Sequence, residues 1–407
     1  QIVHADFSVP YESRDWRARS SDEQDVAWQQ LCDADRARGF DLTRPPLQRL
    51  LLARTGDTRY RFCWTQHHLL LDGWSAAIVL DEVLGAYLGR AVDDRCPRRY
   101  RDAVVWIEQQ EREQLAVFWR DRLADRPAVT PLPAGRQLFD GATTPFACRE
   151  VERVLSASGS AAVRELAERE HLTLSSIMQG AWALALARQS GERDVIFGAV
   201  VGGRPAQLDG ADEMIGVFIN TVPVRITIDE HEPIGSWLRA LQTRQAESEP
   251  FQYGALAEIQ RWSGAGAGVP LFDTLLNVAN YSVSASLQAP GSEFAVREVR
   301  AWEPNNYPLT LVVTPGPCLT LTLLYDAGRY DVTTVNALLA RLEQLLATMA
   351  VRCDRPVAEL HFITAEETQA LLGPWNATAR PVPSSPTISS RCPRPIGNIA
   401  STASTPV

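Results

Sequence analysis

Residues Ala124–Gln137 read "ADRPAVTPLPAGRQ", with three prolines in fourteen positions. Proline fixes φ and withholds a backbone donor, so neither a helix nor an inner strand runs through such a stretch. It reads as a connection between two folded parts. The parts are expected at residues 1–137 and 138–375, with a tail at 376–407.

Each part mixes strand and helix periods. In Leu47–Thr65, "LQRLLLARTGDTRYRFCWT", two extended apolar runs flank Thr55–Thr58, a turn-rich tetrapeptide that predicts a β-hairpin. After Ser75 the apolar residues Ile78, Val79, Val83, Leu84, Tyr87 and Leu88 recur at helical spacing up to Gly89. A polar helix is expected from Tyr100 to about Leu123. The second part predicts helices near 158–170 and 173–189, a strand at Asp194–Val201, an extended run Ile215–Ile228, and a helix near 234–247. A strand in "LFDTLLNVANYSV", an antiparallel pair in "YPLTLVVTPG" and "LTLTLLYDAG", and an amphipathic helix in "DVTTVNALLARLEQLLATMA" complete it, the last buried element ending near Leu372. Beyond Asn376, Ser, Thr and Pro dominate and no aromatic residue follows Trp375, so the tail predicts disorder. Both parts are α/β.

Composition narrows the function classes. A chain of 407 residues that is 45% hydrophobic and 22% charged has a globular balance and room for two or three domains. No apolar run reaches the roughly 18 residues of a membrane span, and the N-terminus lacks a signal-peptide pattern, so a cytoplasmic protein without a membrane partner is expected. A net charge of -9 speaks against nucleic acid. The seven cysteines form no CxxC pair, which suits reduced thiols.

The hairpin runs into "QHHLLLDGWS", Gln66–Ser75, where His67 and His68 stand side by side and Asp72 follows. The pair sits where a strand gives way to a helix, with Gly73 allowing a tight turn between them. Zinc ligation is disfavoured: it wants an i, i+4 helical face, whereas adjacent strand residues point to opposite faces. Two readings stay open, a satisfied structural histidine and an acyl-transfer site in which one histidine serves and its neighbour is held by the scaffold. Asp72 is either a helix cap or a buried carboxylate that holds the turn and needs a cation from another segment. For that cation Arg204, in "GGRP" just after a strand, is preferred to Arg225, which lies in the alternating run "VPVRITI" and is expected to face solvent.

"HHLLLDG" matches the HHxxxDG motif of the condensation domains of non-ribosomal peptide synthetases, in the chloramphenicol acetyltransferase-like superfamily. "YRDAVVW" (Tyr100–Trp106) is similar to the family's YxDYAVW, "IGVFINT" (Ile215–Thr221) to its IGxFVNT, and "NNYPL" (Asn305–Leu309) lies where a later motif falls. Order and spacing agree over residues 1–376. The family's two earliest motifs would lie before residue 1, so the chain is expected to be an N-terminally truncated piece of a longer polypeptide. "WNATARPVP" resembles the junction into an adenylation domain, but the residues after it do not resemble that domain's opening.

The resemblance implies two α/β lobes, mixed sheets with flanking helices, set as a V-shaped pseudo-dimer around a central tunnel. It implies peptide-bond formation between a donor acyl or peptidyl thioester and the amine of an acceptor aminoacyl thioester. No bound cofactor or metal is expected. The phosphopantetheine arms of upstream and downstream peptidyl carrier proteins act as substrates, and an adenylation domain follows. His68 would be the working histidine, His67 its support, Gly73 a backbone donor to the oxyanion, and Asp72 the partner of Arg204. Trp74, Ser75, Asn220 and Thr221 would line the substrate cleft. The alternatives are an epimerisation domain of the same assembly lines and a coenzyme A-dependent acyltransferase of the same superfamily.

Overall fold

A computed structural model describes residues 4, 6–89, 98–125, 129–130, 146–266, 269–279, 296–360, 362–363 and 365–372. Most of the proline-rich connection and the whole tail from residue 376 lie outside them. Among the described residues, those through Phe362 belong to one compact unit and those from Ile363 to Leu372 to another.

The chain opens with β1 (Tyr11–Asp15), α1 (Ser21–Arg38), β2 (Gln48–Arg54), β3 (Tyr60–Gln66) and α2 (Gly73–Tyr87). The hairpin forms as its pattern predicts: β2 and β3 are antiparallel, and Thr55 N–H meets the Arg59 carbonyl across the turn. β1 adds to β2 in parallel, making a three-stranded sheet. Ser20 begins α1 with a reciprocal cap, its side chain bonded to the Glu23 N–H and its own N–H to the Glu23 carboxylate. In β2 the residues Arg49, Leu51 and Ala53 alternate into a buried layer. On the opposite face Tyr11, Tyr60 and Phe62 are exposed.

Next come α3 (Tyr100–Glu108) and α4 (Arg112–Arg122), two helices where one was expected. The break follows from Gln110, whose side-chain amide takes the Trp106 carbonyl. Both helices lie on the N-terminal side of the division at 137, yet they pack on residues beyond it: Trp119 joins Ile196, Val222 and Phe272, and Ala103 joins Met214 and Phe218.

The second sheet is built from β4 (Cys148–Val154), β5 (Asp194–Val201), β6 (Asn220–Thr227), β7 (Thr274–Val278), β8 (Leu309–Thr314) and β9 (Thr320–Asp326), in the order β4-β9-β8-β7-β5-β6. β5, β7 and β8 run parallel, while the other pairings are antiparallel. Its helices are α5 (Ala157–Glu170), α6 (Leu174–Ser190), α7 (Ile234–Ser248), α8 (Leu256–Trp262) and α9 (Val332–Val351). Thr173 caps α6 through the Ser176 N–H, and every residue from Ser176 to Leu186 is buried, so α6 is the central helix of this part. The extended run expected from Ile215 becomes strand only at Asn220, because Gly216, Phe218 and Ile219 bond across to Ser75 and Asp72 instead. The last buried residue among those described is Leu360; α10 (Ala365–Leu372) ends on an exposed Leu372 rather than a buried one.

The fold is thus mixed α/β with two sheets and flanking helices. No described helix is long and apolar enough to cross a membrane.

Candidate functional site

β3 ends at Gln66, so His67 and His68 lie in a turn rather than on the strand itself. The division of labour between them comes from that turn. His67 donates its N–H to the Leu47 carbonyl (2.9 Å), its carbonyl accepts from Leu70 N–H (3.0 Å), and its ring Nδ1 accepts from Leu69 N–H (3.1 Å). An accepting Nδ1 carries no hydrogen, which puts the ring proton on Nε2. His68 is exposed and has no hydrogen-bond partner among the described residues.

Asp72 is 1% exposed and caps α2. Its Oδ1 accepts the Ser75 N–H at 2.8 Å and faces Arg204 Nη2 at 3.4 Å. Its Oδ2 accepts the N–H groups of Phe218 (2.8 Å) and Ile219 (3.4 Å). The helix-cap and buried-pair readings of Asp72 therefore describe one carboxylate at once, and its shortest bonds are to backbone. Gly73 is the first residue of α2 and is not among the described glycines with positive φ, so the turn does not draw on left-handed freedom there.

Ser75 is fully buried, and its hydroxyl is committed: it donates to the Gly216 carbonyl (2.7 Å) and accepts from Gly216 N–H (3.1 Å) and Arg204 Nη2 (2.8 Å). Trp74 is 42% exposed and donates its indole N–H to the Asp212 carbonyl at 3.0 Å. Arg204 also bonds the carbonyls of Ala211 and Met214 and lies 4.1 Å over the Phe218 ring. Burial pushes its guanidinium below the usual arginine value, with Asp72 opposing. Arg225, by contrast, is only partly exposed and forks onto Asp194, at 2.6 Å for its shortest contact. Asn220 gives its side-chain amide to the carbonyls of Gln252 and Gly254 (both 2.7 Å), and Thr221 N–H bonds the Asn220 side chain.

Two glycines permit this network. Gly203 has φ +62°, and a Cβ there would stand 1.7 Å from the Phe218 carbonyl oxygen. At Gly216 a Cβ would stand 2.2 Å from the Tyr100 ring, whose hydroxyl donates to the Val217 carbonyl at 2.6 Å. Burial raises the Tyr100 phenol, and the Asp72 charge adds to it. Tyr100 and Gly216 stand in segments that carried the family resemblance and Gly203 in the "GGRP" loop that offered Arg204, but linear order alone does not say that one lies on another. Among the described residues, no group of three or more His, Cys, Asp or Glu side chains is placed to hold a metal ion.

The sequence profile of the Condensation domain family matches residues 1–372. A linear gramicidin synthase protein of Brevibacillus parabrevis is 36% identical over 390 residues, 94% of this chain and 8% of that protein. Chondramide synthase cmdD of Chondromyces crocatus is 38% identical over 350 residues, 83% of this chain and 9% of that protein. The chain thus spans under a tenth of the length of either. Among solved structures, the first condensation domain of the calcium-dependent antibiotic synthetase superposes with a TM-score of 0.68 at 22% identity, over 88% of this chain and 79% of that one. A four-domain nonribosomal peptide synthetase bound to AMP and glycine gives 0.71 at 18%, over 89% of this chain and 29% of that one. At such identities the likeness is one of fold. Profile, sequence relatives and fold agree, and the chain belongs to the condensation-domain family.

Proposed function

We propose that this chain forms amide bonds in non-ribosomal peptide synthesis, joining a carrier-bound donor thioester to the amine of a carrier-bound acceptor aminoacyl thioester. The observation that carries the reading is the division within the histidine pair: His67 is tied into the turn, while His68 is exposed above a motif locked by buried Asp72. The acceptor nitrogen attacks the donor carbonyl carbon, a C–N bond forms, and the C–S bond then breaks. The amine proton leaves nitrogen and ends on the departing sulfur. An α-amine with a pKa of roughly 7.7 to 8.0 is partly neutral near neutral pH, and a thioester is already activated, so positioning carries much of the catalysis.

His68 either accepts that proton, a role typically worth about 10²- to 10⁴-fold, or orients the amine. No described group accepts from the Gly73 N–H at the start of α2, which suits a donor to the developing oxyanion. Asp72 and Arg204 act by holding the turn. Ser75 and Asn220 have their side chains committed to backbone, so their part in substrate binding is to shape the cleft; Trp74, whose indole N–H is held by the Asp212 carbonyl but whose ring is partly exposed, and Thr221 border it. The two lobes would bring the arms of upstream and downstream carriers together through a tunnel, next to an adenylation domain.

The solved relatives include a starter condensation domain in complex with C8-CoA, with a TM-score of 0.68 at 17% identity, which makes a coenzyme A donor the reading to test beside the carrier. The experiment supplies the chain with a loaded donor carrier and a loaded acceptor carrier and follows peptide on the acceptor arm by mass spectrometry. Parallel arms supply acyl-coenzyme A as donor, or one aminoacyl carrier alone. Amide on the acceptor only when both carriers are present is the expected result. Transfer from coenzyme A alone, or inversion of a single carrier-bound residue, overturns it in favour of the two alternatives.

A further inference from the structure

An arginine sits where β2 should be apolar. Arg49 shares the inward face of the strand with Leu51 and Ala53, and its side chain is only 7% exposed. It pairs with Asp35 of α1 at 2.7 Å, in a side chain only 6% exposed, and also donates to the Asp35 carbonyl at 2.9 Å. Replacing a buried pair by apolar residues is often neutral or stabilising, so sheet stability alone does not explain it. The rest of the guanidinium shows what the pair fixes. Nη1 donates to the Gly39 carbonyl at 2.7 Å, holding the backbone that delivers Phe40, and the arginine carbon Cζ lies 4.1 Å from the centre of the Phe40 ring. Phe40 in turn meets the His67 ring edge to face, with centroids 6.1 Å apart and planes at 75°.

We propose that Phe40 and Arg49 are positioning residues for the histidine pair, forming with Asp35 a stack that runs from α1 through β2 to the His67 ring. A cation on one face of Phe40 and a helix-end carbonyl gripped by the same cation leave that ring little freedom. Phe40 then limits how far the His67 ring tilts away from the Leu69 N–H, and the His67 bonds fix the backbone from which His68 projects. The inference rests on the reading of His68 as the residue that meets the acceptor amine.

The test labels the histidines with ¹³C and ¹⁵N and reads the ring tautomer of His67 by NMR, assigned with His67→Gln. Wild type should show His67 with its proton on Nε2. Phe40→Leu and the paired apolar replacement Arg49→Met with Asp35→Leu should each mix the tautomers, while Phe40→Tyr, which keeps the ring, should restore the wild-type signature. In the two-carrier assay the first two should lower kcat about tenfold with KM unchanged, and the paired replacement should do so without a lower melting temperature. A wild-type tautomer and wild-type kcat in Phe40→Leu overturn the proposal. The two readings fail separately: if wild type makes no amide yet Phe40→Leu mixes the tautomers, condensation is wrong and the stack stands.

Discussion

Asp72 Oδ2 accepts the backbone N–H of Phe218 at 2.8 Å, so the carboxylate that caps α2 is also gripped by the chain just before β6. Together with Ser75 and Gly216, this contact ties the histidine turn to the second sheet by bonds that are short, buried and reciprocal. It is the physical content of the motif's aspartate.

Asp72→Asn should therefore harm folding before chemistry. An amide has one accepting oxygen where the carboxylate has two, so either the Ser75 or the Phe218 N–H faces an NH₂ donor, and Arg204 loses its counter-charge. Breaking a buried pair on one side costs about 3 to 5 kcal/mol. Thermal or urea unfolding measures it, and a loss below about 1 kcal/mol would show that the grip on Phe218 is dispensable.

Gly216→Ala should destabilise by about 1 to 3 kcal/mol, since its Cβ has to displace the Tyr100 ring in a packed layer. Tyr100→Phe removes one hydrogen bond to the Val217 carbonyl and should cost about 0.5 to 1.5 kcal/mol. The informative variant is Gly216→Ala with Tyr100→Ala: relief of the clash should make the pair less harmful than the sum of its parts. Strict additivity in the double-mutant cycle would show that the two residues do not press on each other.

Acid should weaken the stack behind His67. Burial pushes the Asp35 carboxyl up, but the pairing with Arg49, helped by the nearby Thr65 side chain, outweighs it and holds the carboxyl below its ordinary value. A depressed carboxylate contributes stability that is present above its unfolded pKa, about 3.9, and is lost as pH falls through the lower folded value. Melting temperatures followed downward from pH 5 should fall more steeply for wild type than for Arg49→Met with Asp35→Leu. Parallel curves would remove Asp35 as a source of acid sensitivity.

What the sequence made legible was whatever has a period or a turn. The hairpin from Leu47 to Thr65, the helix after Ser75 and β5 at Asp194–Val201 stand where their patterns put them. α1 escaped because it has no apolar stripe: its buried residues are Gln24 and Asp35, and only the Ser20 and Glu23 capping box announced it. β1 and β4, "YESRD" and "CREVERV", are strands at sheet edges whose charges hide their period. At the site, chain position after a strand singled out Arg204, but the sharing of Asp72 among Ser75, Phe218 and Ile219 depends on pairs up to 147 positions apart. Arg49 in "LQRLLL" looks like one charge in a hydrophobic strand. Its role emerges only when α1 brings Asp35 beneath it and the chain brings Phe40 above.

The central claim is that the exposed His68, and not the tethered His67, meets the reacting amine. The most direct measurement is the single-turnover rate of amide formation from two loaded carriers, compared between wild type and His68→Ala, with circular dichroism confirming that the variant stays folded. His68 touches no described hydrogen-bond partner, so its removal should leave the fold intact while lowering the rate by about 10² or more. A folded His68→Ala protein that forms amide at the wild-type rate would contradict the account.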